Sequence, residues 1–470
     1  MLNFRRRKQT AQKVMVIGLD CAEPSLVFDK WRDELPNLSK LMDRGVWGPL
    51  ESVTPPITVP AWSCMMCGQD PGQLGIYGFR NRGDYSYDKM SIATSSAVRV
   101  PRVWDLLSAA GKQVQVVGVP GTYPVKPTNG YLISSFLTPS TDVQFTYPES
   151  FRNEVLRWAD GDYMLDVRNF RTDDKDWLLN QICLMTEKRF AVAEHMVTEL
   201  PWDYFMMVEM GTDRIHHGYW RYHAKDHRLY EPGNRYEHAI HNYYRYVDTR
   251  IGALLSLVPD DTAVFVVSDH GATTMHGGIC VNDWLRQQGY LTLTEEPNEV
   301  TSFDIDKVDW SHTQVWGEGG YYARIFFNVE GREPQGIVPS SDYQALRREV
   351  KSKLEAITDE DGQCIGTRVF LPDEVYQQVN GIAPDLIVYF GDLGWRSIGS
   401  VGNPTIQVRE NDTGPDDANH APFGMCIYSN PKGKARGRVE GLHLFDIGKT
   451  VLNVLDVQPP QTMRGNVIQA

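Results

Sequence analysis

At 470 residues the chain exceeds the roughly 250–300 beyond which a single hydrophobic core stops growing, so one large domain with an inserted cap, or two domains, is expected. Its 41% hydrophobic and 23% charged content is that of a soluble globular chain and excludes wholesale disorder. A formal net charge of −13 excludes a general nucleic-acid-binding surface, which needs a basic stripe to displace counterions; a small anionic substrate stays compatible, because bound dications would invert the local field.

Residues 1–12 read as a basic leader carrying Arg5, Arg6, Arg7 and Lys8, and residues 13–470 as the folded region. The apolar run that follows, Val14–Leu19, is six residues long, too short for a secretory core or a membrane span. The seven cysteines are odd in number and scattered, which fits a reducing compartment better than a disulfide framework. A cytoplasmic chain without a membrane span is expected. Cys64 and Cys67 form a CxxC with no second pair to complete a zinc site.

The first strand signal is Val14-Met15-Val16-Ile17-Gly18-Leu19, a short apolar run ending in Asp20, the pattern of a buried parallel strand that delivers a side chain at its carboxyl end. Similar runs occupy 113–119, 202–209, 262–268 and 385–390, with helix-like stretches at 180–200 and 238–257. This alternation predicts an α/β fold with a mostly parallel central sheet and helices on both faces. In such sheets ligands sit at the carboxyl ends of strands, where Asp20, Asp213, Asp269 and His270 all fall. Two stretches fit the alternation poorly, polar and aromatic 163–177 within 140–200 and turn-rich 295–337. Both are candidate cap segments.

Along the chain, seven residues form an ordered set of oxygen and imidazole donors: Asp20, Thr58, Asp213, His217, Asp269, His270 and His420. Thr58 follows Pro55 and Pro56 and precedes Pro60, which suits the first turn of a helix. Its hydroxyl is either a helix cap or a nucleophile in contact with a metal, with helix amides holding phosphoryl oxygens. Asp213 and His217 are four apart, on one face of a helix, and either ligate one metal or form a surface pair, with His216 and His223 as competitors. Asp269 and His270 leave the apolar run Val264-Phe265-Val266-Val267 together, and Gly271 permits a sharp exit. His420 is the late candidate, in a loop before the apolar Met425-Cys426-Ile427-Tyr428. The set reads as two adjoining divalent-metal sites flanking a hydroxyl nucleophile, since metals ~4 Å apart stabilise both attacking and leaving oxygens at phosphorus.

These motifs resemble the alkaline phosphatase superfamily and, within it, the type I phosphodiesterase/nucleotide pyrophosphatase branch. Val16-Ile17-Gly18-Leu19-Asp20 resembles that family's first ligand strand, and Thr58-Val59-Pro60-Ala61-Trp62 its nucleophile segment. Gly68 to Pro71 with Leu74-Gly75-Ile76 is similar to the stretch that follows, although Leu74 stands where a histidine is common. Asp213 with His217, then Ser268-Asp269-His270-Gly271, then His420, match the later ligand motifs, and Leu444 to Leu455 resembles the closing helix.

The resemblance implies an alkaline-phosphatase-like α/β domain with two divalent ions, zinc in phosphatases and diesterases or manganese in the mutase branch. It places Asp20, Thr58, Asp269 and His270 on one ion and Asp213, His217 and His420 on the other. The expected activity is hydrolysis of a small phosphate ester, most closely that of a phosphodiesterase, with Thr58 as catalytic nucleophile forming a covalent phospho-enzyme. Downstream of the nucleophile, where diesterases commonly carry an asparagine to hold a phosphoryl oxygen, Phe79 stands, followed by Arg80, Asn81 and Arg82 as candidate substrate contacts. An arginine there would suit the dianion of a monoester, so a phosphomonoesterase or phosphotransferase on the same site, and a non-catalytic binding member, are the alternatives. No cysteine begins the C/S-x-P-x-R sequence that formylglycine sulfatases need.

Overall fold

A computed structural model describes residues 12–469, so most of the basic leader lies outside the described residues. The main sheet has ten strands. Five central strands run parallel in the order Gly130–Ile133, Val114–Val117, Tyr204–Glu209, Val14–Leu19, Ala263–Val267. Phe423–Ser429 then adds antiparallel to Ala263–Val267, and Val46–Glu51 antiparallel to that. The all-apolar strand runs follow from this arrangement, because helices cover both faces and every residue of Val14–Leu19, Tyr204–Glu209 and Ala263–Val267 is buried.

The helices take their places through specific approaches. Thr58–Cys67 is buried at every position, as expected of a helix apolar on all sides. It presses on the first strand at Gly18, where a Cβ would stand 2.5 Å from the Trp62 ring, so the strand accepts the indole only because that residue has no side chain. Gly68 ends the helix in the left-handed region (φ 62°), donating its N–H to Cys64 O at 2.7 Å. The closing helix Phe445–Val454 lies against it, with Gly448 set close to the Met65 carbonyl.

Between strands Gly271–Thr274 and Ala418–Ala421, which pair antiparallel, the chain builds a second hydrophobic core from Ile279 to Trp395. It contains an antiparallel sheet in the order Val315–Glu318, Ala323–Phe327, Leu386–Tyr389, Arg368–Phe370, with helix Tyr343–Glu355 packed on it. The 295–337 stretch is part of this larger body. The 140–200 stretch ends in helix Lys175–Glu199, whose buried face joins the main core. Among the described residues no helix is long and apolar enough to cross a membrane.

Candidate metal centre

Strand ends and helix starts of the main sheet bring the donors together. Asp20 follows the first strand, and Cys21 turns the chain there with φ 62°. Helix Gly211–His223 begins two residues after strand Tyr204–Glu209, its first free amide capped by Glu209 Oε1 accepting from Gly211 N at 2.7 Å. Asp213 lies in its first turn and His217 one turn on, with His217 Nε2 3.2 Å from Asp213 Oδ1. His420 sits directly across from Ala272 in the short antiparallel pair, and its ring stacks on His270 at 3.8 Å between centroids. Gly271 serves closeness rather than a turn: a Cβ there would meet the Phe423 carbonyl at 2.3 Å.

All seven donors are buried, none more than 3% exposed. Two clusters share His270: Asp20, Asp269 and His270, and Asp213, His270 and His420, the ligand atoms of each within 4.8 Å of one another. Thr58 Oγ1 lies 3.3 Å from His270 Nε2. Asp20 Oδ1 and Asp269 Oδ2 are buried without a hydrogen-bond partner, and Asp213 Oδ1 and His217 Nε2, 3.2 Å apart, face each other without satisfying hydrogen-bond geometry. Such orphaned polar atoms are costly unless something satisfies them. Oxygen and imidazole donors at this density fit divalent cations.

The protonation preferences agree. Burial, reinforced by the nearby Asp213, pushes the Asp20 carboxyl well up, and burial with the Asp20 charge does the same to Asp269. Burial also disfavours ionised Asp213, but His217 and Arg214 outweigh it and hold that carboxyl well below the usual range. Burial holds His270 down to about 4, and burial with neighbouring His270 lowers His420. Carboxylates crowded this closely repel one another without cations, and the neutral imidazoles of His270 and His420 are ready ligands. Burial disfavours protonated His217, but the charges of Asp416 and Asp213 outweigh it and hold that imidazole well above the usual range, so it must give up a proton to ligate.

Neighbouring groups fix the donors. Trp62 Nε1 donates to Asp20 Oδ2 at 2.7 Å, and Cys21 N to Asp269 Oδ1 at 3.3 Å. His420 Nδ1 is 2.9 Å from Pro56 O and His217 Nδ1 is 2.7 Å from Asp416 Oδ1. Each imidazole thereby turns Nε2 toward the cluster.

A cavity of ≈ 540 Å³ opens on Thr58, Asp213 and His420. Phe136, Phe170 and Arg171 wall one side and the Glu318 to Tyr322 turn another, so both candidate cap stretches reach it. Of the expected substrate contacts, Arg80 lines the cavity with no side-chain partner among the described residues, and Phe79 stands beside it. Asn81 and Arg82 are not among the residues lining the cavity, and their side chains are engaged elsewhere. Asn81 Oδ1 accepts from Tyr77 N at 2.7 Å, bracing its own turn, and Arg82 is buried on Glu333 of the second core at 3.0 Å. The sequence reading passed over Arg214, which reaches the cavity while bonded to Asp213 and, at 2.8 Å, to Asp166; its adjacency to Asp213 was the available signal. It also passed over Asp416 and Tyr321, for which no local signal exists.

The family model for type I phosphodiesterase / nucleotide pyrophosphatase matches residues 14–416. Among solved structures, human ectonucleotide pyrophosphatase / phosphodiesterase 5 is similar over 96% of both chains, at 14% identity and a TM-score of 0.57. An inactive threonine-to-alanine variant of the murine enzyme, in complex with AMP, is similar over 96% of both chains, at 13% identity and a TM-score of 0.55. Phosphonoacetate hydrolase from Sinorhizobium meliloti 1021, in complex with phosphonoformate, reaches a TM-score of 0.62 at 17% identity over 95% of both chains. No curated protein sequence matches the chain. The fold is alkaline-phosphatase-like, and the class is that of metal-dependent hydrolases acting on phosphate esters. Within that superfamily the chain belongs to the type I phosphodiesterase / nucleotide pyrophosphatase family.

Proposed function

We propose that the protein is a two-metal phosphodiesterase in which Thr58 is the nucleophile. The observation that carries this is the position of the Thr58 hydroxyl, on the cavity wall and 3.3 Å from His270 Nε2, next to the orphaned acid and imidazole atoms. Two divalent ions, taken as zinc with manganese as the alternative, would be held by Asp20, Thr58, Asp269 and His270, and by Asp213, His217 and His420. When bound they supply Lewis acidity toward the phosphoryl group and lower the cost of ionising the hydroxyl.

Thr58 Oγ1 attacks phosphorus, the Oγ1–P bond forms as the bond to the leaving alcohol breaks, and the alcohol departs with a proton. Water then hydrolyses the phosphothreonine ester and restores the hydroxyl. Thr58 opens its helix, so the first-turn amides face the transferred group, where a helix terminus favours negative charge. The inactive threonine-to-alanine form of the murine relative and its AMP ligand support this reading, as do the phosphonate ligands of the bacterial one. Arg80, an exposed residue lining the cavity, favours the second reading, a monoesterase or phosphotransferase on the same residues. Seven unpaired cysteines support a cytoplasmic location.

The test is acid quenching during turnover of a slow phosphodiester, followed by peptide mass analysis. A phosphoryl adduct on the peptide containing Thr58 is expected. Steady turnover of the metal-loaded chain with no adduct at any quench time would favour direct attack by water.

A further inference from the structure

Three rings lie in one stack at the metal centre: His270, His420 and Tyr321. His420 is the middle one, 3.8 Å from His270 at 17° and 4.3 Å from Tyr321 at 27°. The same phenol ring also covers His217, at 5.1 Å and 24°. Tyr321 does not belong to the main core. It stands in the turn between Val315–Glu318 and Ala323–Phe327 of the second core.

That turn is pinned. Gly320 N donates to Ser397 O at 2.8 Å, and Gly319 approaches Gly399 so closely that a Cβ would stand 2.6 Å from its nitrogen. Both ends of the tyrosine are tied as well. Its carbonyl accepts from Asn419 Nδ2 at 2.9 Å and its hydroxyl from Arg171 Nη2 at 2.6 Å. Arg171 Nε donates to Asp416 Oδ2 at 2.9 Å, and the other oxygen of that carboxylate is the partner of His217 Nδ1. The connections close a ring from His217 through Asp416, Arg171 and Tyr321 back to the face of His217.

We propose that Tyr321 is a positioning residue through which the second core holds the imidazoles of His217 and His420 in ligating orientation. The inference rests on the two-metal reading above. An imidazole held only at its Nδ1 edge, His420 by Pro56 O and His217 by Asp416 Oδ1 with Ala418 O, can still swing about that edge, and a flat ring against its face removes the swing. Offset stacking also adds attraction beyond the area it buries. Tyr321 stacks on His217 and His420, and it reaches His270 only through His420, so its effect falls mainly on the ion assigned to Asp213, His217 and His420. The device therefore acts chiefly on one of the two ions. Residues that orient metal ligands change affinity by about 10–100-fold when altered.

The experiment titrates metal-free protein with Zn²⁺ against a chromophoric chelator and needs no substrate. The native chain should show two binding steps, and His420→Ala identifies the step to which its imidazole contributes. Tyr321→Leu should weaken that step by at least about tenfold and leave the other within about twofold. Tyr321→Phe, which keeps the ring, should restore most of the loss, and Arg171→Ala, outside the stack, should weaken the same step to a smaller extent. Two native steps that Tyr321→Leu leaves unchanged, or weakens equally, would overturn the proposal while leaving the two-metal reading intact. A single native step would overturn that reading, and the proposal with it. If Tyr321→Leu fails to fold, Arg171→Ala decides: no selective loss counts against the proposal.

Discussion

The hydroxyl of Thr58 and Nε2 of His270 lie 3.3 Å apart although the two residues are separated by 212 positions in sequence. One opens a buried helix and the other follows a central strand, so neither can move without the main sheet moving. A hydroxyl held this way is positioned by the fold instead of by a flexible loop. Thr58→Ala should lower turnover by at least about 10³-fold while leaving circular dichroism and most metal content unchanged. Thr58→Ser should keep measurable activity. Near-native rates in the alanine variant would mean that the threonine is not the nucleophile.

The two donor clusters call for different losses when different ligands are removed. Asp269→Asn and His420→Ala should each cost about one equivalent of metal, on opposite sites, read by elemental analysis of the purified variants. Exhaustive chelation should abolish hydrolysis, and Zn²⁺ or Mn²⁺ should restore it. Activity in demonstrably metal-free protein would end the two-metal account.

Arg80 and Arg82 are two residues apart and face different surroundings. An aryl phosphodiester should be cleaved with higher kcat/KM than the matching monoester, since the acidic chain repels a dianion more than a monoanion. Arg80→Ala should reduce monoester cleavage more than diester cleavage, because Arg80 reaches the cavity. Arg82→Ala should leave the diester-to-monoester ratio unchanged and instead destabilise the chain by about 1.5–3 kcal/mol in denaturant unfolding, since the buried Glu333 loses one of its two arginine partners and keeps Arg332. A ratio that shifts with Arg82 and not with Arg80 would reverse these assignments.

Acid should destabilise the protein through histidines remote from the donors. Burial lowers the imidazoles of His227 and His443 to about 4, against ~6.5 in an unfolded chain. Between these values the unfolded chain binds protons that the folded one does not, so stability falls as pH drops from about 6.5 to about 4. Above that window the two groups contribute no slope, and below it their effect is complete. Metal-free protein unfolded by urea across this range should show the decline, and His443→Gln should make it shallower. An unchanged slope in that variant would show that His443 titrates normally.

What could be read in the sequence was whatever a single element carries. Asp20 and Asp269 announce themselves as acids ending apolar strands, and Asp213 with His217 as a pair one helical turn apart. Their joining with Thr58 and His420 came from the resemblance, because the pairing of Ala272 with His420 is a tertiary fact. Asp416 and Tyr321 act through partners distant in sequence, and no local pattern marks them. The engagement of Arg82 was hidden for the same reason: its partner Glu333 lies 251 positions away. Segment 295–337 stood out by its turns, but the core it belongs to gathers strands as far as Tyr389, and turn content carries no information about that reach.

Strand Phe423–Ser429 enters between Ala263–Val267 and Val46–Glu51 only after the second core has been laid down. A growing chain on the ribosome therefore holds Asp20, Thr58, Asp213, His217, Asp269 and His270 long before it holds His420. Until that strand arrives, Ala263–Val267 and Val46–Glu51 each present an unpaired edge, open to pairing with a neighbouring chain. The pairing that seats His420 thus forms after the other six donors are in place, and until then the open edges of the nascent sheet favour aggregation.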